Sequence, residues 1–440
     1  MTTPVPAAPP ARPGLMALEE ALARLLDGVA PVTEVESVAT EAAAGRVLAR
    51  DLVSALDVPG FDNSQMDGYA VRSADVAAAV AAGRPLPVAQ RIAAGHFGAA
   101  LQPGTVARIF TGAPLPAGAD AVIMQEEASA ADAPVDAEAS QGAFGWVRFS
   151  AAPASGQWVR RRGEDVRAGA AVVPAGTRLA AAHLGLAASI GADHLTVVRR
   201  LRVALASTGD ELILPGQCPP DRLPPGAIYN SNRYFLEPLL RRLGCEVTVL
   251  PPIPDTREAT QEVLLDAAAG HDVILTTGGV SVGEADHVKP VVQALGTLDL
   301  WQVAMKPGKP FAHGWIDRAR AGGQGRCHVL GLPGNPVSSF VTFLLLARPF
   351  LLRLGGAAVE AALPPALPMV AHFDVPTPDK RREFLRVRRN SVGGLDLFPN
   401  QNSSVLTSMA WADGLVDKPA GGTIAHGDVV RYLPLADWFD

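Results

Sequence analysis

From Arg199 onward, β-branched runs alternate with stretches of helical periodicity, and that alternation constrains the fold more than any other feature of the chain. RVALAS predicts a strand, Arg233 to Leu243 a helix, CEVTVLPP a strand and Glu258 to Ala268 a helix. HDVILTT and VLGLP then predict further strands, the second followed by a long helix after Asn335. Strands alternating with helices pack as a parallel sheet covered on both faces, with ligands bound beyond the carboxyl ends of the strands. The loops after those strands are where chemistry is expected.

That unit, read as 199–358, is only part of 440 residues, a length that implies two to four domains at roughly 100–200 residues each. Leu15, Leu18, Leu22, Leu25 and Leu26 fall at helical spacing with Glu19, Glu20 and Arg24 outside, and Ala180 to Ile190 predicts a second helix. Between them, YAVR, VARIF and AVIMQ are short β-like runs separated by Gly and Pro turns, and Ala128 to Gly145 lacks periodicity, as a surface loop does. The expectation is a β domain over 53–165 inserted between two halves of a helical stalk, 14–52 and 166–198. After the Pro-rich joint ALPPALP at 362–368, the runs EFLRVRR, LDLFP and DVVRYLP predict a small β domain over 359–440. Residues 1–13, rich in Pro and Ala, read as a loose tail and not as a secretory signal. The apolar stretch Phe340 to Leu352 is interrupted by Arg348 and Pro349, short of the roughly 18 apolar residues of a membrane span; no membrane partner is expected.

Composition narrows the function classes. Hydrophobic residues make up 48% and charged residues 19% of the chain, enough apolar material for packed cores. Lys plus Arg number 38 against 44 Asp plus Glu, a net charge of −6, which argues against a nucleic-acid partner. Cys218, Cys245 and Cys327 are far apart and show no CxxC spacing, so neither a disulfide framework nor a zinc site is expected, and a cytoplasmic location is favoured. No GxSxG or HExxH occurs, and the nine histidines form no cage-like spacing.

What remains is carboxylates, Gly turns and lysines. The first strand of the α/β unit runs into Ser207, Thr208, Gly209, Asp210 and Glu211, and the third into TTGGVSVGEAD, ending at Asp286. Glycine lets backbone N–H groups approach phosphate oxygens, and a carboxylate beside a phosphate needs a hard cation such as Mg²⁺ between them. Glu211 and Asp286 are therefore candidates for metal-assisted phosphate chemistry. Asp255 follows the second strand, as a ligand, as the N-cap of the next helix, or as both. Lys306 and Lys309, in a stretch stiffened by Pro307 and Pro310, suit an anion seat. Pro333, Gly334 and Asn335 lead into an apolar helix whose N–H groups suit another phosphate or a ring edge. In the β domain, PGFDNSQMDGYAVR puts a polar cluster before a strand, RIFTGAP ends in a Thr-Gly turn, and Arg160–Arg161–Arg162 precede Glu164 and Asp165 as a solvated charge run.

Taken in order, PGFDNSQMDGYAVR, RIFTGAP, RRRGEDV, STGDEL, TTGGVSVGEAD, KPGKPF and LGLPGNPVS resemble the molybdopterin molybdenumtransferase family, the bacterial relatives of the C-terminal domain of gephyrin. The resemblance implies an elongated multidomain chain of α/β plus β class: a parallel-sheet molybdopterin-binding domain, the inserted β domain and a small barrel-like C-terminal β domain. It also implies a homodimer whose cleft joins the α/β domain of one subunit to the β domain of the other. The implied reaction takes adenylated molybdopterin and molybdate, with Mg²⁺, and releases AMP. Carried over by motif, Asp67, Glu211, Asp255 and Asp286 are implied as catalytic, Glu211 and Asp286 also as metal ligands. Thr111, Asp165, Ser207, Gly209, Gly278, Gly279, Ser281, Gly283, Pro333, Gly334 and Asn335 would bind substrate. Lys306, Lys309, Arg386 and Ser403 would meet molybdate, and Asn402 stands where the family often has Gly. Implied partners are a molybdopterin adenylyltransferase and molybdoenzyme maturation proteins. The alternatives are a scaffold with the same fold and the adenylyltransferase itself.

Overall fold

The computed structural model of the chain describes residues 15–135, 137, 142–279, 287–320, 323–358 and 363–438. The tail expected at 1–13 lies outside them. Its central sheet runs, in spatial order, Glu246–Val249, Arg202–Ser207, Val273–Thr277, Gly323–Leu332, Pro310–Arg320 and Gly296–Gln302. The first four strands are parallel, as the alternation predicts. The last two are antiparallel, so the sheet is mixed and not wholly parallel. The cause is chain length: a parallel neighbour needs a crossover of a dozen or so residues, and Arg320 to Gly323 leaves no room for one.

The helix Leu18–Asp27 buries Leu18, Ala21, Leu22 and Leu25. This stripe packs with Leu201, Leu236, Phe343, Phe350 and Trp438, so the helix belongs to the α/β core and not to a stalk. The stalk module is also more β than helical. It pairs Val35–Ala39 with His194–Val198 and Leu52–Val53 with Ala171–Val173, and its one described α-helix is Ala181–Ser189.

The inserted domain is built on Ala121–Met124, Gly68–Val71, Val106–Ile109, Leu86–Ile92, Trp146–Phe149 and Ala128–Ala131, in that spatial order, together with the α-helix Ser73–Ala81. Ala128–Ala131, expected as loop, is an edge strand on Trp146–Phe149. Edge pairing is made by backbone, so Ala and Ser side chains suffice and leave no β-branched pattern to read.

In the C-terminal domain, Leu367–Ala371, Gly394–Leu397, Arg382–Arg389, Gly414–Lys418 and Val429–Pro434 pair in a closed ring of five strands. Met305–Lys306 runs parallel to Arg382–Glu383 and fastens the barrel to the α/β domain. Between them lies the helix Pro336–Leu354, long and apolar enough to cross a membrane, yet 83% buried within the protein over its most apolar window. Its middle turn, Phe343–Ala347, is π-helical and precedes Pro349, whose missing N–H cannot continue the regular ladder.

Candidate functional site

The loops at the carboxyl ends of Arg202–Ser207, Val273–Thr277 and Gly323–Leu332 meet at one edge of the sheet. Gly278 and Gly279 take φ of 87° and 68°. A Cβ on Gly278 would come within 3.1 Å of the Thr208 carbonyl and hydroxyl oxygens, and one on Gly279 within 2.7 Å of Val288 Cγ2. Both positions favour glycine, because φ is positive and a Cβ would press on the Thr208 backbone and hydroxyl at Gly278 and on the Val288 and Thr208 side chains at Gly279. Asn232 joins the same loops: its Nδ2 donates to Thr277 Oγ1 and to the Gly334 carbonyl, each at 2.7 Å. The motif reading missed Asn232. Its trace was present, since Asn232 shares a four-residue spacing and a buried helix face with Leu236 and Leu240.

Ser207 is buried at its strand end, and the Pro333 carbonyl accepts from Thr277 Oγ1 at 3.5 Å. Gly209 has φ 137°, and Glu211 folds its carboxylate over it, Oε2 standing 2.4 Å from where a Cβ would be. Asp210 and Asp255 clasp each other. The Asp210 N–H donates to Asp255 Oδ2 at 3.3 Å and the Asp255 N–H to Asp210 Oδ1 at 3.0 Å. Asp255 is not the N-cap of the following helix. Thr256 is, accepting at Oγ1 from the Ala259 N–H at 3.3 Å, because the hydroxyl stands one residue nearer the first free N–H groups. Asn335 occupies the N-cap position of the Pro336 helix without a side-chain capping bond. Ser281, Gly283 and Asp286 lie outside the described residues.

The barrel reaches the same region. The Ser403 carbonyl accepts from the Val337 N–H at 3.0 Å, so the Gln401–Ser404 loop docks on the start of the helix that follows Gly334 and Asn335. Arg386, which the resemblance implies as a molybdate contact, is 1% exposed. It donates to Ser408 Oγ at 3.2 Å, the Phe384 carbonyl at 3.3 Å and the Asn402 carbonyl at 3.4 Å. Burial pulls its pKa down to about 10, which still leaves it a cation at neutral pH. Asn402 turns its side chain back, Oδ1 accepting from the Ser404 N–H at 3.2 Å, and so leaves its carbonyl to Arg386. Lys306 is held by the barrel: Nζ lies 2.8 Å from Glu383 and 3.3 Å from Asp379, contacts that raise its pKa. Lys309 is exposed and makes no ion pair among the described residues. Of the two ammonium groups, Lys309 is the one left for an anion.

In the β domain, Asp67 accepts from the Thr111 N–H at 2.8 Å and from Thr111 Oγ1 at 2.7 Å. These bonds, backbone first, with help from the Arg108 charge, hold its carboxyl below the usual range. The three-arginine run is more than a solvated face. Arg161 pairs with Asp62 at 2.7 Å and Arg162 with Asp57 at 2.6 Å, because the extended pair Val159–Arg160 and Asn63–Ser64 sets the two loops side by side. Asp165 follows, its N–H donating to the Val58 carbonyl at 3.0 Å. No hydrogen bond or ion pair among the described residues links Asp67 or Thr111 to Glu211 or Asp255.

These modules define a multidomain α/β protein whose candidate site lies at the carboxyl edge of the central sheet, where a loop of a closed β-barrel docks. Family models match in the same order: MoeA N-terminal region (domain I and II) over residues 16–191, probable molybdopterin binding domain over 204–353, and MoeA C-terminal region (domain IV) over 368–435. The molybdopterin molybdenumtransferase of Haemophilus influenzae is 37% identical over 373 residues, covering 84% of this chain and 85% of that protein. That of a Nostoc species is 36% identical over 403 residues, covering 90% and 87%. A molybdopterin biosynthesis MoeA protein of Pyrococcus horikoshii superposes with a TM-score of 0.70 at 31% identity, over 97% of this chain and all of that one. The chain belongs to the MoeA family of molybdopterin molybdenumtransferases.

Proposed function

We propose that this chain inserts molybdate into adenylated molybdopterin with Mg²⁺ and releases AMP, the last step of molybdenum cofactor biosynthesis. The observation that carries the reading is the convergence at one sheet edge of Thr208 to Glu211, Asp255, Gly278, Gly279 and Gly334, with the barrel loop at Ser403 docked beside them. Gly278 spends its own N–H on the Leu332 carbonyl at 3.1 Å, so what Gly278 and Gly279 offer a phosphate is a loop surface with no side chains in the way. Lys309, exposed beside the strand that fastens the barrel, favours an oxyanion on that side. Molybdenum takes soft sulfur ligands from the pterin dithiolene, so the chain needs no cysteine cluster of its own.

Among the described residues no three His, Cys, Asp or Glu side chains form a metal-holding group. The donors fit Mg²⁺ nonetheless, since it keeps several waters and is held by one or two carboxylates together with substrate phosphates. Glu211 and Asp286 would hold it, and it would neutralise the phosphoanhydride oxygens. Asp67 and Thr111 form a separate cluster, so the reading places them across a cleft completed by a second copy, in a cytoplasmic homodimer supplied by an adenylyltransferase. The test is to incubate the purified chain with adenylated molybdopterin, molybdate and Mg²⁺. AMP should appear together with cofactor that activates an apo-molybdoenzyme, and Glu211→Ala should lower AMP release on the order of 100-fold. ATP consumption with free molybdopterin, or no AMP at all, would sink the proposal.

A further inference from the structure

The Leu86–Ile92 and Val106–Ile109 strands run parallel and set Arg91 directly beside Arg108. Like charges opposite one another destabilise a sheet, so the pairing needs a reason beyond folding. Both guanidinium groups stack on one ring: Arg91 lies 4.9 Å and Arg108 5.0 Å from the Phe110 centroid, and Arg108 is also 5.2 Å from that of Tyr69. Arg108 is tied further, donating to the Gly68 carbonyl at 3.2 Å and to Gln125 Oε1. Neither arginine forms an ion pair among the described residues, and Arg91 is exposed. Stacking on the ring offsets part of that repulsion and fixes the planes of both guanidinium groups. Arg108 also lends its charge to Asp67, while Arg91 has no acidic partner among the described residues, so the two oriented guanidinium groups keep N–H donors for one tetrahedral oxyanion.

We propose that Arg91, Phe110 and Arg108 form a phosphate-binding platform on the β domain. It adjoins Asp67 and Thr111, since Gly68 faces Ile109 across the sheet. Its ligand is a phosphate of the phosphorylated substrate, which rests on the reaction proposed above. An acidic residue at either position would hold a neighbouring arginine as well and need no ligand; the chain has none there.

In the AMP-release assay, Arg91→Ala should raise KM for adenylated molybdopterin by about five- to tenfold, so that most of the loss in kcat/KM falls on KM. Arg91→Glu should raise it further, and Arg91→Lys, which keeps charge but not the plane, should fall between. Unchanged KM in Arg91→Ala and Arg91→Glu, with the parent chain active, overturns the platform and leaves the reaction standing. If the parent chain releases no AMP, equilibrium dialysis with AMP and with inorganic phosphate decides. Weaker retention of AMP by Arg91→Ala than by the parent upholds the platform for a phosphate ester. Weaker retention of inorganic phosphate alone, or equal retention of both, overturns it.

Discussion

Asp210 and Asp255 each accept the other's backbone N–H, and this reciprocity separates two roles a carboxylate can have. If the clasp serves to hold the Thr208–Glu211 loop so that Glu211 lies over Gly209, shape matters and charge does not. Asp210→Asn keeps an amide oxygen to accept the Asp255 N–H and should leave turnover within about threefold of the parent. Asp210→Ala loses the bond and should cost about 10- to 100-fold in kcat, given about 1.5–3 kcal/mol for a hydrogen bond to a charged group. Equal damage from both variants, measured by AMP release, would make Asp210 a charge donor to the site instead. The sequence pointed to Glu211 and Asp255 but not to this partnership, because two loops 45 positions apart carry no local mark of touching. Arg386 shows the same limit in reverse. Its place in EFLR was legible, but whether the guanidinium lay in water or in the barrel depended on strands closing around it.

The helix Pro336–Leu354 and the Lys306–Lys309 turn show how elements constrain one another. Gly308 has φ 104°, and a Cβ there would come 2.3 Å from Thr342 Oγ1 and 2.8 Å from Met305 Cε. Thr342 is wholly buried, and its hydroxyl has no hydrogen-bond partner among the described residues. Gly308→Ala should therefore destabilise the α/β–barrel junction by on the order of 1–3 kcal/mol, seen as a lower melting temperature. Adding Thr342→Ala should restore part of the loss, because the backbone strain stays while the collision goes. No recovery in the double variant would show that φ alone sets the cost. The apolar helix itself was legible from Phe340 to Leu352. Its burial between sheet and barrel was not, since a periodic apolar stretch states that a surface needs covering and not by what.

For the whole molecule, the proposed function puts Asp67 of one copy across a cleft from Glu211 of a second, in keeping with two clusters that no hydrogen bond or ion pair joins among the described residues. The expected outcome is complementation. Asp67→Ala and Glu211→Ala chains, each inactive alone, should regain activity when unfolded together and refolded. Random pairing makes about half of the dimers mixed, each with one intact site of two, so recovery should approach about one quarter of the parent. Activity no higher than that of the separate variants would place both residues in the same subunit's site.

The sequence by itself determined the alternation that builds four parallel strands, the glycines at Gly278 and Gly279 where φ turns positive, and the order of motifs that marks the family. Those are local facts: periodicity, turn chemistry and residue identity act over a few positions. Tertiary structure alone decided that the sheet ends in an antiparallel pair, that Leu18–Asp27 joins the α/β core, and that Lys306 is neutralised by Glu383 and Asp379 while Lys309 stays exposed. Each of these depends on which distant surface is nearest when apolar area leaves water, and the hydrophobic effect that drives it has no direction along the chain.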